Sequence, residues 1–278
     1  MNLEDLQPII TSHLFPLLDE KLIELLDSLT QSDWDRRALP KWTVRDIAAH
    51  LLDSNVRRLS IGRDGYWGVP FQGSSVEELN VFLNQLNHEW VQACRRLSPP
   101  LLVKLLRETG QQLSEYMQSL DPMGEAILAV SWAGEEQSVA WFDIAREYTE
   151  KWHHQQQIRD AVGQPGVLTP ALYAPVVATF MRALPHTYRH ADAENRTVIQ
   201  FHVTGESGGL WALVRDDSGW KLKTGRASNP ACEVIIPGEI AWKLFTKGLT
   251  QEAARRVIQG TGDAGLIEPV FTATAIVG

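Results

Sequence analysis

The stretch Glu147-Tyr-Thr-Glu150-Lys-Trp-His153-His154-Gln-Gln-Gln-Ile-Arg159 organises this chain of 278 residues. Neither Pro nor Gly interrupts Val139 to Val162, and the span reads as one long helix. Glu150 and His154 stand four apart and so share a helix face. A carboxylate and an imidazole placed that way can fill two corners of a tetrahedral metal site. A third corner must come from another segment, and His50 is the best candidate. It follows an apolar stripe in Trp42-Thr-Val-Arg-Asp-Ile-Ala-Ala-His50-Leu-Leu-Asp53, which also reads as a helix. Plainer readings stand beside this one. A Glu-x3-His pair is often only a hydrogen bond on or between helices, and His50 could be a core histidine. His153, three residues after Glu150, competes with His154, because Glu-x2-His is the spacing used in di-iron bundles. That arrangement needs a second carboxylate pair, which the sequence does not place.

The bulk numbers narrow the class. Apolar residues at 44% and charged residues at 22% are ordinary for a globular protein. The length suffices for one large or two ordinary domains. No apolar run approaches a bilayer span, and the start, Met1-Asn-Leu-Glu-Asp5, lacks a basic and then apolar leader. The expected location is the cytoplasm, with no membrane partner. Cys94 and Cys232 lie far apart, in different predicted domains, and read as buried free thiols. The net charge of −8 is uneven: residues 1–165 carry 15 Lys and Arg against 24 Asp and Glu, residues 166–278 carry 11 against 10. An acidic first part argues against nucleic acid, which requires a basic footprint. A small molecule is the expected partner.

Outward from the central stretch, Asn2 to Leu29 reads as helix, with Pro8 in its first turns and Pro16 kinking or splitting it. Thr30 to Pro40 is a polar connector whose Trp34 and Leu39-Pro40 plug the bundle end. Thr43 caps the His50 helix with Asp46 as its acidic partner, and that helix runs to about Ile61. Gly62 to Pro70 is a loop, either a pocket rim or a packed surface segment. Ser74 or Ser75 caps a helix to about Leu97, Pro99-Pro100 break it, and Leu101 to Leu120 form the next. Ala126 to Gly134 is a connector carrying Trp132, and Ser138 caps the Glu150/His154 helix, which ends at Gly163. These residues predict an up-and-down bundle of four main helices with an extra segment. After Pro165 the pattern changes. Thr169-Pro170 opens a helix ended by Pro185. Thr197–Val203, Leu210–Arg215, Trp220–Lys223 and Cys232–Ile236 read as strands. Helices follow at Pro237–Lys247, from Thr250 through about Gln259, and after Asp263. Two domains are predicted, 1–165 and 166–278, the second an α+β unit with a mainly antiparallel sheet and helices on one face.

The two quoted segments, about a hundred residues apart, resemble the mycothiol-dependent maleylpyruvate isomerase family, within the wider DinB-like superfamily of metal-binding helix bundles. The C-terminal part resembles the sterol-carrier-like domain of the same relatives. The resemblance covers most of the chain and is more specific for the fold and metal site than for the reaction. It implies that the His50 and Glu150/His154 helices are neighbours, and it maps the motif onto His50, Glu150 and His154. His153 is then expected to be solvated or to lie behind the ligands. Two imidazoles and one carboxylate suit Zn2+, and three protein ligands leave a position open, as in catalytic sites. The implied cofactor is a low-molecular-weight thiol such as mycothiol, and the implied chemistry is isomerisation or thiol transfer on a small electrophile. A metal-dependent hydrolase, or a small-molecule binder with a structural metal, are the alternatives. Family isomerases also carry an Arg in the C-terminal domain that can reach an acidic substrate. Lys247, Arg255 and Arg256 are the basic residues in that region, and solvated helix-end charge is their plainer reading. No role is carried over to them, and maleylpyruvate is not carried over as the substrate.

Overall fold

A computed structural model describes residues 2–73 and 75–276 of the chain. Its first element is not a helix. Asn2–Asp5 is a strand, β1, and the first long helix, α1, spans only Phe15–Asp27. Pro16 sits in the opening turn of α1, where its missing N–H costs nothing. The residues ahead of it are free to extend and find a partner strand 220 residues away.

Helix α2, Val44–Arg58, starts with the expected capping box: the Thr43 hydroxyl accepts from Asp46 N–H and the Asp46 carboxylate accepts from Thr43 N–H at 3.0 Å. It continues as a π-helical turn over Leu59–Arg63. Helix α3, Val76–Cys94, is capped by Ser75; the alternative, Ser74, lies outside the described residues. Helix α4, Pro99–Ser119, starts on a proline, so Pro99-Pro100 open a helix rather than merely end one. Helix α5, Ala140–Val162, has Val139 at its N-cap and no side-chain cap. Ser138 is turned inward instead, where its hydroxyl accepts from Val130 N–H at 2.9 Å and donates to Glu135. Gly163, at φ 71°, closes α5 as expected.

Helices α1, α4, α2 and α5 form a closed ring in that order, so α2 and α5 are neighbours. Helix α3 lies against α2 outside the ring. The ring is the four-helix bundle of the sequence reading.

The rest of the chain is α+β. Helices α6, Pro170–Met181, and α7, Leu184–Thr187, precede strands β2, Val198–Val203, β3, Gly209–Asp216, β4, Gly219–Arg226, and β5, Cys232–Ile236. Helices α8, Gly238–Phe245, and α9, Gln251–Val257, follow. Pro185 sits in the first turn of α7 rather than ending α6. Residues Gln259–Gly262, expected to belong partly to a helix, form strand β6, and Ala264–Ile267 forms α10. Gly260 and Gly262, the latter at φ 96°, do not sustain a helix. The sheet order is β1-β4-β3-β2-β5-β6; among the described residues β2 and β5 pair in parallel and the other neighbours antiparallel. No helix among the described residues is long and apolar enough to cross a membrane.

The main hydrophobic core runs without a break from the bundle into the sheet. Trp152 of α5 stacks on Tyr173 of α6 at 4.6 Å and meets Trp242 of α8 edge-on at 5.9 Å. Its indole N–H donates to Val167 O at 3.0 Å, and the Tyr148 hydroxyl donates to Leu172 O at 3.0 Å. Removing Trp152 therefore opens a cavity shared by both halves. Trp152→Ala is expected to cost about 3–5 kcal/mol in chemical denaturation. Far-ultraviolet and fluorescence transitions should stay coincident; separate transitions would show that the halves do not share one core.

Candidate metal centre

The apolar residues Val44, Ile47, Leu51 and Leu52 fix α2 in the bundle core, and His50 faces α5. His50 Nε2 lies 3.4 Å from Glu150 Oε1, and His154 Nε2 lies 3.1 Å from the same oxygen. The two imidazole rings are 4.7 Å apart. One donor atom from each of His50, Glu150 and His154 lies within 4.8 Å of the others. Trp42 packs over both rings, at 4.9 Å from His50 and 6.1 Å from His154.

The hydrogen-bond roles say what this cluster can hold. His154 Nδ1 is 2.8 Å from Gln157 Oε1, an oxygen that can only accept. Nδ1 therefore carries a proton, which leaves Nε2 as the ring atom aimed at the Glu150 carboxylate. That 3.1 Å contact is filled either by a proton on Nε2 or by a metal ion shared with the carboxylate. His50 is buried, and its Nδ1 has no partner. Burial holds the His50 imidazole below its ordinary pKa, with the Glu150 hydrogen bond offsetting only part of this. Burial would raise the Glu150 carboxyl, but the surrounding histidines outweigh it and hold the group well below the usual carboxylate range. Neutral imidazoles with an ionised carboxylate are the protonation states in which these side chains bind metal. The donor set thus fits a divalent ion.

Of the two expected placements of His153, solvated or behind the ligands, the structure shows the second. It is buried rather than solvated, and its Nδ1 donates to Thr149 O at 2.9 Å. Its ring lies 4.1 Å from that of His154, and its Nδ1 is 3.9 Å from the other Glu150 oxygen. It stands behind the three converging side chains.

The centre opens on a cavity of about 670 Å3 lined by His50 and Glu150. Tyr66, Trp67 and Phe71 of the Gly-rich loop form its rim, so the loop is part of the pocket. Residues Ala275 and Ile276 close it from the C-terminal half. Lys247, Arg255 and Arg256 are not among the lining residues. Arg255 pairs with Glu268 and covers the Phe271 ring, and Arg256 pairs with Glu252. The cations at the cavity come instead from the bundle: Arg57, Arg58 and Arg146. Arg58 and Arg146 converge on buried Asp143, and Arg146 also reaches Glu147 at 3.0 Å. Burial would raise the Asp143 carboxyl, but Arg146 and Arg58 hold it below its ordinary value. Sequence reasoning missed this cluster and Gln157. The one available signal was helical spacing: Asp143, Glu147, Glu150, His154 and Gln157 follow at steps of three or four.

The chain thus contains a four-helix bundle in which two histidines and a glutamate, a set that could hold a metal ion, converge beside a cavity. The family model for the mycothiol maleylpyruvate isomerase N-terminal domain matches residues 15–159, more than half of the chain, and the chain belongs to that family. Among solved structures, a crystal structure of the mycothiol-dependent maleylpyruvate isomerase is similar at a TM-score of 0.50 and 12% identity, covering 84% of this chain and 86% of that one. A crystal structure of a histidine-to-alanine mutant of that isomerase gives a TM-score of 0.49 at 11% identity, over 91% and 92% of the two chains. No curated protein matches.

The buried histidines make stability sensitive to acid. The folded-state pKa of His153 is pushed by burial from 6.5 down to about 3, and that of His50 is also lowered. As pH falls through 6.5 the unfolded chain takes up protons that the folded chain refuses, so stability present above 6.5 is lost toward about pH 3. The melting temperature of the metal-free protein should fall over this window, and less steeply in His153→Gln. Parallel profiles for the two would show that His153 does not contribute.

Proposed function

We propose that the chain is a cytoplasmic, metal-dependent enzyme that uses a low-molecular-weight thiol, such as mycothiol, for isomerisation of a small electrophile or thiol transfer to it. The observation that carries this reading is the convergence of His50 Nε2, His154 Nε2 and a Glu150 oxygen beside a cavity. Membership of the maleylpyruvate isomerase family supports the choice of thiol chemistry. His50, Glu150 and His154 are taken as ligands of one divalent ion, with Zn2+ preferred for two imidazoles and one carboxylate. Bound there, such an ion lowers the pKa of an incoming thiol and so supplies a thiolate at neutral pH.

The chain's own residues have separate tasks. Gln157 fixes the tautomer of His154 and directs its Nε2 at the centre. Trp42 shields one side of both imidazoles from water. Asp143, bound by Arg58 of α2 and Arg146 of α5, ties the two ligand-bearing helices together two turns from Glu150. The reading treats residues 1–165 as a DinB-like bundle and 166–278 as a sterol-carrier-like domain. The mainly antiparallel sheet, and the shift from helices to strands after Pro165, support that division.

Elemental analysis checks the ligand set. His154→Ala is expected to lose stoichiometric metal, and His153→Ala to keep it; the reverse outcome would exchange their roles. The thiol reading is checked by titrating the cobalt-loaded protein with a panel of thiols that includes mycothiol. A new thiolate-to-metal absorption band is expected in the ultraviolet. No band with any thiol, together with metal-dependent hydrolysis of esters or amides, would replace the thiol reading with the hydrolase one.

A further inference from the structure

Helix α3 carries Leu79, Phe82, Leu83, Leu86 and Trp90 at helical spacing along one face. In a bundle such a stripe is normally buried in the core. Among the described residues, Leu79, Phe82, Leu83 and Leu86 join none of the buried clusters. All four remain partly exposed, and all four line the cavity whose floor holds His50 and Glu150. Phe71 of the rim loop rests against Phe82 at 5.5 Å, extending the apolar wall toward the mouth.

The charges around the cavity point the same way. Its three cations are each met by a carboxylate: Arg58 by Asp143, Arg146 by Asp143 and Glu147, and Arg57 by Asp53 at 3.4 Å. Asp53, Glu89, Glu147 and Glu150 line the same space. Arg57 Nη1 and Arg58 Nε have no hydrogen-bond partner among the described residues, but a small dianion seated on them would stand beside Asp53, Asp143 and Glu147, whose charge repels it. An uncharged apolar body displaces only water from the α3 face. The volume, about 670 Å3, is that of sites for molecules of drug size.

We infer that the electrophile taken by this pocket is an uncharged molecule with a bulky apolar body, such as an aryl-conjugated enone, seated on the Leu79–Trp90 face of α3 with its reactive end toward His50 and Glu150. Calling the ligand an electrophile rests on the thiol-dependent reading; the apolar seat does not. The test is calorimetric titration of the full chain with benzylideneacetone and, separately, with maleate. Benzylideneacetone is expected to bind at least tenfold more tightly than maleate. Leu83→Asp should weaken it at least tenfold with metal content unchanged. Phe82→Ala, a milder change expected to weaken binding severalfold, decides the matter if Leu83→Asp fails to fold. Maleate binding as tightly as benzylideneacetone, or folded variants that keep full affinity for the enone, would overturn the inference. So would a dimer in light scattering that Leu83→Asp dissociates, since a second copy would then cover the face. Enone binding that survives without any thiol-dependent turnover would remove the thiol chemistry and uphold the seat.

Discussion

The structure depends on burying a polar helix. Helix α5 runs through the bundle with Asp143, Glu147, Lys151, His153, His154, Gln155, Gln156 and Gln157 all buried. Each buried polar group must find a partner or destabilise the fold by its full desolvation penalty. Lys151 Nζ pairs with Asp19 of α1 and donates to Asn55 Oδ1 of α2 at 3.1 Å. Gln155 donates to Leu18 O, and the Gln156 side-chain oxygen accepts from Val167 N–H. These bonds reach α1, α2 and the segment that follows α5. They admit one register of α5 against α1 and α2, because a slip of one residue would strand several of them.

The candidate metal centre uses the same constraint. The register that satisfies Lys151 and Asp143 also brings Glu150 and His154 opposite His50. On the next turn, Gln157 holds His154 Nδ1, so the aim of Nε2 at Glu150 follows from a bond within the helix. The site is therefore an outcome of how the bundle closes, with the Arg58–Asp143–Arg146 cluster on one side and the Lys151 network on the other.

Much of this could be read from the residues, and the failures have physical reasons. The Thr43/Asp46 capping box, the Gly163 stop, the bundle and the trio His50, Glu150 and His154 carry local signals, and the structure brings that trio together. Ser138 misleads because a hydroxyl before a helix can cap it or turn inward, and here Val130 N–H and Glu135 claim it. Strands β1 and β6 are short segments at the two edges of the sheet, whose conformation is decided by distant partners and not by their own sequence. The run Gln155-Gln156-Gln157 resembles a solvated face, since polarity alone does not reveal partners on other helices. The apolar stripe of α3 predicts a helix correctly but not that a cavity, instead of a core, lies beneath it.

The edge strand β1 has a bearing on how the molecule is made. Its register pairs Asn2 with Arg226 and Asp5 with Lys223, and the Asp5 carboxylate accepts from Lys223 at 2.7 Å. During synthesis the strand emerges roughly 220 residues before its partner. At ribosomal rates of roughly 5–20 residues per second, some 10–40 s separate them. Throughout that interval the bundle can form while its leading segment stays unpaired, an open strand edge of the kind that neighbouring chains can capture. A nascent chain of this protein is thus exposed to mispairing at this strand, until the sheet is completed by residues more than 200 positions later.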